Sequence, residues 1–228
     1  MLRAIVFDFD GVIANSEPLH FAAFRDVLAG EGIALTEADY YARYLGYDDV
    51  GMFQAIGAAR GGWAAAEIAG LVARKAVRLE ELERHVSVLF PGAADAIGRA
   101  AAVVPIAIAS GARGEEIRRV LRREQLDTFF TAIVSAEDTP VSKPSPEPYL
   151  RALDLLRAAR GAAIDAARCV AIEDSRWGLE SARAAGMRTI AVTNTYDKAA
   201  LTAYADAVIP SLAQFDLDVV ASLVIDRA

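Results

Sequence analysis

Near the N-terminus two aspartates stand one residue apart, Asp8-Phe9-Asp10, followed by Gly11-Val12. They close an apolar run, Ala4-Ile5-Val6-Phe7, whose β-branched members read as a buried strand. Alternate side chains of extended backbone share a face, so Asp8 and Asp10 can point together while Phe9 turns into packing. Like charges held side by side need a cation or a proton between them. Gly11 has no Cβ and lets backbone amides approach a ligand closely. Taken alone, the stretch is equally a strand with an Asp-Gly turn.

Three further polar groups each follow an apolar run. Ser110-Gly111 follows 103–109, Lys143-Pro144 lies in the loop after 132–134, and Glu173-Asp174-Ser175 follows 168–172. Separately each has an ordinary reading: a turn, a solvated lysine, acids at a helix N-terminus. Together they are carboxylates, a hydroxyl and an ammonium delivered to one rim, a set that suits a phosphate ester and a hard metal ion. Asp8, Asp10 and Asp174 offer oxygen ligands to Mg²⁺. Lys143 and Ser110 can hold phosphoryl oxygens.

The elements that must position these groups alternate. After the strand at 3–9, helical patterns run over 17–31, 36–44, near 49–56 and over 63–84, so about 15–86 reads as an all-helical block. From Pro91-Gly92 onward helix and strand alternate: helices over 93–101, 114–124, 146–158 and 175–185, strands at 103–109, 132–134, 168–172, 188–192 and 207–209. Pro105 is tolerable only at its strand's start or a bulge. Strands separated by helices predict an α/β fold with a doubly wound parallel sheet, in which ligands sit outside the carboxyl ends of the strands. The expected division is a core of 1–14 with 87–228 and a helical insert of 15–86.

Composition narrows the classes. Net charge is −7 with no evident basic face, which speaks against nucleic acid as a partner. No apolar run reaches the roughly 18 residues that span a bilayer, so no membrane association is expected. The single cysteine, Cys169, cannot form an internal disulfide and fits a reducing cytoplasm. Only His20 and His85 are present, which rules out a three-histidine zinc site, and there is no Walker loop, dinucleotide fingerprint or serine elbow. No motif speaks of an interface, and a monomer is favoured.

The segments Asp8-Phe9-Asp10-Gly11-Val12, Ile108-Ala109-Ser110, Lys143-Pro144 and Ile172-Glu173-Asp174-Ser175 resemble, in order, the four motifs of the haloacid dehalogenase-like hydrolases. Gly178, Ala182 and Ala185-Gly186 fit the small-residue helix that follows the fourth motif. The insert resembles the four-helix cap of the branch containing phosphoglycolate phosphatase and β-phosphoglucomutase. The resemblance implies a Rossmann-like core with a small all-helical cap domain, and an Mg²⁺-dependent phosphatase acting on a small phosphorylated metabolite such as a sugar phosphate. It implies Asp8 as nucleophile forming an aspartyl-phosphate, and Asp10 as general acid and base. Lys143 would neutralise the phosphate, and backbone amides of Phe9 and Asp10 with Ser110, Gly111 and Ala112 would cradle it. Asp8, Asp10, Asp174 and Glu173 would hold the metal, Asp174 most directly.

In the insert, His20 is either a helical histidine near a hinge or a substrate contact. The cluster Tyr40, Tyr41, Tyr44 and Tyr47 is either cap packing or a specificity loop, with Tyr47 the substrate candidate. Trp63 and Trp177 read as packing, and Arg74, Lys75 and Arg78 as a solvated basic strip, one member of which could meet an anionic substrate. A β-phosphoglucomutase-like mutase is the alternative. Such mutases grip a second phosphate with an arginine just past the loop glycine, whereas Gly46 here is followed by Tyr47, Asp48 and Asp49. Carbon–halogen hydrolysis is disfavoured by Asp10, and an idle binding module by the intact motif residues.

Overall fold

The computed structural model describes residues 1–45, 47–58, 61–84, 86–160 and 164–224. The chain divides into two compact units, Met1–Asn15 with Val88–Ala228, and Ser16–Ser87. Among the described residues no helix is long and apolar enough to cross a membrane.

Among the described residues the smaller unit holds four helices: α1 (Glu17–Gly30), α2 (Glu37–Arg43), α3 (Asp49–Ala58) and α4 (Ala65–Glu83). Phe24, Leu28, Tyr40, Met52, Phe53 and Leu71 meet in its core, with the rings of Phe24 and Phe53 edge to face at 5.2 Å. The Thr36 hydroxyl oxygen caps α2 by accepting from the Asp39 amide. Asp48 accepts from the Gly51 amide at 2.6 Å and so holds the first turn of α3.

Of the basic strip expected as a solvated face on α4, Arg74 is exposed and Arg78 partly so, but Lys75 is not. Lys75 is only 2% exposed, with its Nζ 2.8 Å from Asp49 Oδ1, 2.9 Å from His20 Nδ1 and 4.8 Å above the Phe24 ring. Arg74 pairs with Glu31, and Arg78 with Asp26 and Glu81. A buried charge needs a partner, and Asp49 of α3 supplies it to Lys75. Asp48 and Asp49, which stand where such a mutase has its arginine, are thus a helix cap and a lysine's counter-ion.

The larger unit is built on six strands: β1 (Ala4–Phe7), β2 (Ile106–Ala109), β3 (Phe130–Val134), β4 (Cys169–Glu173), β5 (Arg188–Val192) and β6 (Ala207–Ile209). They pair in parallel in the order β3-β2-β1-β4-β5-β6. β1, β2 and β4 are wholly buried, as uninterrupted apolar runs covered on both faces must be. The helices are α5 (Ala93–Ala101), α6 (Gly114–Arg123), α7 (Glu147–Arg160), α8 (Arg176–Ala184), α9 (Lys198–Leu201) and α10 (Leu217–Ser222). On one face of the sheet Val6, Ala107 and Ala171 share a core cluster with Tyr149, Leu153 and Ala182. The alanines let α7 and α8 approach the strands closely.

Chain order reverses at β1, with Phe7 registered beside Ile108 on one side and Ile172 on the other. The crevice beyond such a reversal is where ligands bind in open α/β sheets. Local detail departs from the sequence reading in three places. The first strand stops at Phe7, because Gly11 turns the chain at φ +77° and the amides of Ile13 and Ala14 bond back to the Phe9 carbonyl. The run at 103–109 becomes strand only at Ile106, since Val103 and Val104 still donate to the Ala100 carbonyl. Trp177 is not packing but 54% exposed, stacked on the Arg176 guanidinium at 5.1 Å.

Gly92 opens α5 at φ +83°, and a Cβ there would lie 2.4 Å from the backbone of Ala213. Gly92→Ala combines left-handed strain with a clash against main chain. It is expected to cost about 3 kcal/mol, read as a lower urea midpoint with an unchanged slope.

Candidate active site

Asp8 is the first residue past β1, and its amide donates to the Ile172 carbonyl of β4 at 2.9 Å. Parallel pairing therefore carries one residue beyond the strand and fixes the backbone from which the carboxylate projects. Lys143 arrives from the loop ahead of α7. Its Nζ lies 2.6 Å from Asp8 Oδ1 and 2.6 Å from Glu173 Oε1, so one ammonium bridges residues 135 and 30 positions away.

Glu173 ends β4 and is 1% exposed. Its Oε2 accepts from the amides of Asp174 and Ser175 and from the Ser175 hydroxyl, at 3.0 to 3.1 Å. Its Oε1 accepts from Lys143 and, at 3.2 Å, from the Tyr149 hydroxyl. Ser175 in turn caps α8, its oxygen accepting from the Gly178 amide. Asp174 is buried and hydrogen-bonds the Thr195 hydroxyl. A Cβ on Gly11 would lie 2.0 Å from Asp174 Oδ2, so only glycine lets the turn after Asp10 pass this acid. Asn194 Nδ2 donates to the Gly11 carbonyl at 2.8 Å and pins the turn.

Asp8, Glu173 and Asp174 each bring a carboxylate oxygen within 4.8 Å of the others, all buried. One ammonium does not balance three carboxylates. Burial pushes the Asp8 acid well above the usual carboxylate range, against the pull of Lys143, with Glu173 and Asp174 pushing the same way. Asp174 is pushed up to about 7, first by burial and then by Glu173. Glu173 is held down, because Lys143 and the Ser175 donors outweigh its burial. Lys143 is held above its ordinary value by Asp8 and Glu173. Hard oxygen donors, buried, close together and short of positive charge, fit a divalent cation.

Of the other residues singled out in the sequence, Ser110 ends β2 beside β1 and is buried, its Oγ accepting from the Ala112 amide at 3.1 Å. Gly111 is exposed and Ala112 buried. Phe9 is fully buried, the packing role its position suggested. Asp10 makes an isolated bridge with Ala14 and is not one of the clustered trio. In the helical unit, His20 stands against Lys75, and Tyr47 is 52% exposed with its ring edge-on to Tyr44. Tyr40 is core, its hydroxyl bonded to Glu17. Gly46 and His85 lie outside the described residues.

Three residues at the site were not singled out. Asn194 and Thr195 follow β5, so reading the polar residues after every strand, the fifth included, finds them. Tyr149 sits on the first turn of α7 among apolar neighbours. Nothing in its local sequence separates it from an ordinary core tyrosine.

The chain matches the model of the haloacid dehalogenase-like hydrolases over residues 2–186. It is 32% identical to Protein CbbY of Rhodobacter capsulatus over 224 residues, covering 92% of this chain and 94% of that protein. It is 32% identical over 192 residues to hexitol phosphatase B of Escherichia coli K12, covering 84% and 83%. A solved structure of a CbbY variant from Rhodobacter sphaeroides, in complex with xylulose-(1,5)bisphosphate, superposes with a TM-score of 0.77 at 28% identity, covering 94% of this chain and 96% of that one. The match over most of the chain, with these relatives, makes it a member of the haloacid dehalogenase-like hydrolase family and, within it, a phosphatase acting on phosphoric monoesters.

Proposed function

We propose that the chain is an Mg²⁺-dependent phosphatase that hydrolyses a small phosphorylated sugar or similar metabolite through an aspartyl-phosphate on Asp8. The observation that carries this reading is the Lys143 ammonium 2.6 Å from Asp8, beside the clustered acids Glu173 and Asp174. Relatives named for hexitol phosphate hydrolysis, and a neighbour holding a phosphorylated sugar, support the substrate class. The net charge of −7 suits a small-molecule substrate and not a nucleic acid, and the lone buried Cys169 supports a cytoplasmic setting.

In this reading an Asp8 oxygen attacks phosphorus and the bond from phosphorus to the ester oxygen breaks. Asp10 gives its proton to the departing oxygen. It then takes one from the water that attacks the aspartyl-phosphate, and inorganic phosphate leaves. Lys143 offsets the repulsion between Asp8 and the phosphate, and the amides of Phe9 and Asp10, with Ser110, Gly111 and Ala112, receive the phosphoryl oxygens. Asp8, Asp10 and Asp174 would hold the ion, with Glu173 behind them, and when bound it supplies positive charge to the phosphoryl oxygens.

A panel of sugar phosphates is expected to release phosphate with Mg²⁺ and not with EDTA. Asp8→Asn is expected to lower kcat by at least about a thousandfold, because the nucleophile is gone. Release without Mg²⁺, or undiminished in Asp8→Asn, overturns the mechanism.

Protonation gives a second test. The Asp174 acid releases its proton near 7 in the folded chain and near its ordinary 3.8 when unfolded. Between those values the folded state binds more protons, so stability of the metal-free protein falls as pH rises. Asp8 acts in the same direction. Glu173, held below its ordinary 4.5, acts oppositely only below about that value and leaves the window from pH 5 to 7.5 clear. Urea unfolding in EDTA is expected to show a loss on the order of 3 kcal/mol across that window, with Mg²⁺ restoring it at the upper end.

A further inference from the structure

We propose that Tyr149 is a positioning residue for the chemistry at Asp8: its hydroxyl and its ring hold Glu173 and Lys143 in the arrangement that aims the ammonium at Asp8. The proposal rests on the phosphatase reading of the same site.

Tyr149 is fully buried on α7, and a buried phenol must find a partner for its hydroxyl. It donates to Glu173 Oε1, the same oxygen that Lys143 takes. The Lys143 Nζ also lies 5.1 Å from the centroid of the Tyr149 ring, within the range of attraction between a cation and an aromatic face. One side chain therefore touches both Lys143 and the Glu173 carboxylate that anchors it. Lysine is a point charge on a flexible stem, and its aim depends on what surrounds it. Here Asp8 draws the ammonium from one direction and Glu173 from another, while the ring lies alongside.

The two parts of Tyr149 separate cleanly. The hydroxyl is one of five donors to Glu173, so removing it leaves the carboxylate anchored by Asp174, Ser175 and Lys143. Phenylalanine keeps the ring and the packing against Ala107, Ala171 and Leu153. A purely space-filling tyrosine is replaced by phenylalanine without kinetic loss; a positioning tyrosine is not. At 3.2 Å the hydroxyl bond is long for an O–H donor, which keeps the expected effect moderate.

The test uses the full chain, Tyr149→Phe and Tyr149→Leu, with para-nitrophenyl phosphate and Mg²⁺ as the assay. Tyr149→Phe is expected to lower kcat about fivefold with KM unchanged, and Tyr149→Leu by clearly more, with Tm of the phenylalanine variant near that of the parent. A kcat loss under threefold in Tyr149→Phe, or a loss matched by an equal rise in KM, overturns the proposal.

A measurement independent of turnover stands beside it. The sequence has three lysines, Lys75, Lys143 and Lys198, so protein labelled with ¹³C-lysine gives three ε-methylene signals. Lys198 is exposed and serves as reference. The Lys143 signal, assigned by its loss in Lys143→Arg, is expected upfield of Lys198 because of the Tyr149 ring, and is expected to stay there in Tyr149→Phe. A Lys143 signal coincident with Lys198 in the parent protein overturns the proposal even if no variant folds. Should the parent release no phosphate from any ester, the phosphatase reading fails, and the lysine spectrum alone decides the placement of Tyr149.

Discussion

A single ammonium shared by two carboxylates, with a third carboxylate alongside, is the constraint on which the rest of the larger unit depends. Lys143 meets Asp8 and Glu173 at the same distance, 2.6 Å, and all of these groups are buried or nearly so. Removing charge from water is costly, and the cost is recovered only when each lone pair and each proton finds a partner. Glu173 meets that condition with five donors and stays ionised. Asp8 and Asp174 do not, and their protons are held more tightly. The acids thus divide the work: one anchors the lysine, and two are left short of positive charge.

The fold exists around that division. Placing β1 between β2 and β4 brings the ends of three strands side by side, so Asp8, Ser110 and the Glu173-Asp174 pair project from adjacent backbones. Apolar strands buried on both faces hold those backbones still, and parallel hydrogen bonding from the Asp8 amide to the Ile172 carbonyl extends the order to the residue that carries the first of the clustered carboxylates. The turn at Gly11, tied by Asn194, lets the chain leave the site without displacing Asp174. The small unit solves a similar problem separately, burying Lys75 between Asp49, His20 and the Phe24 ring.

Much of this was legible in the sequence. The alternation of strands and helices, and the polar residues that follow the strands, pointed to the sheet and to Asp8, Lys143, Glu173 and Asp174, because periodicity and strand-end chemistry are local signals. What escaped depends on tertiary contact. Tyr149 looks like any core aromatic until Glu173 is seen against its hydroxyl. Lys75 looks like a member of a basic strip until three helices close around it. Asp48 and Asp49 look like two loose loop acids until one is seen capping a helix and the other pairing with a lysine. The short helices α9 and α10 carry too few turns for a periodic signal; each begins at an aspartate cap, Asp197 and Asp216.

Calorimetric titration of Mg²⁺ into the metal-free chain at pH 7.5 tests the charge deficit most directly. The account predicts one ion bound per chain, and loss of that binding in Asp174→Asn, whose amide cannot supply the missing anionic oxygen. Absence of binding in the parent protein, or binding undiminished in Asp174→Asn, would contradict it.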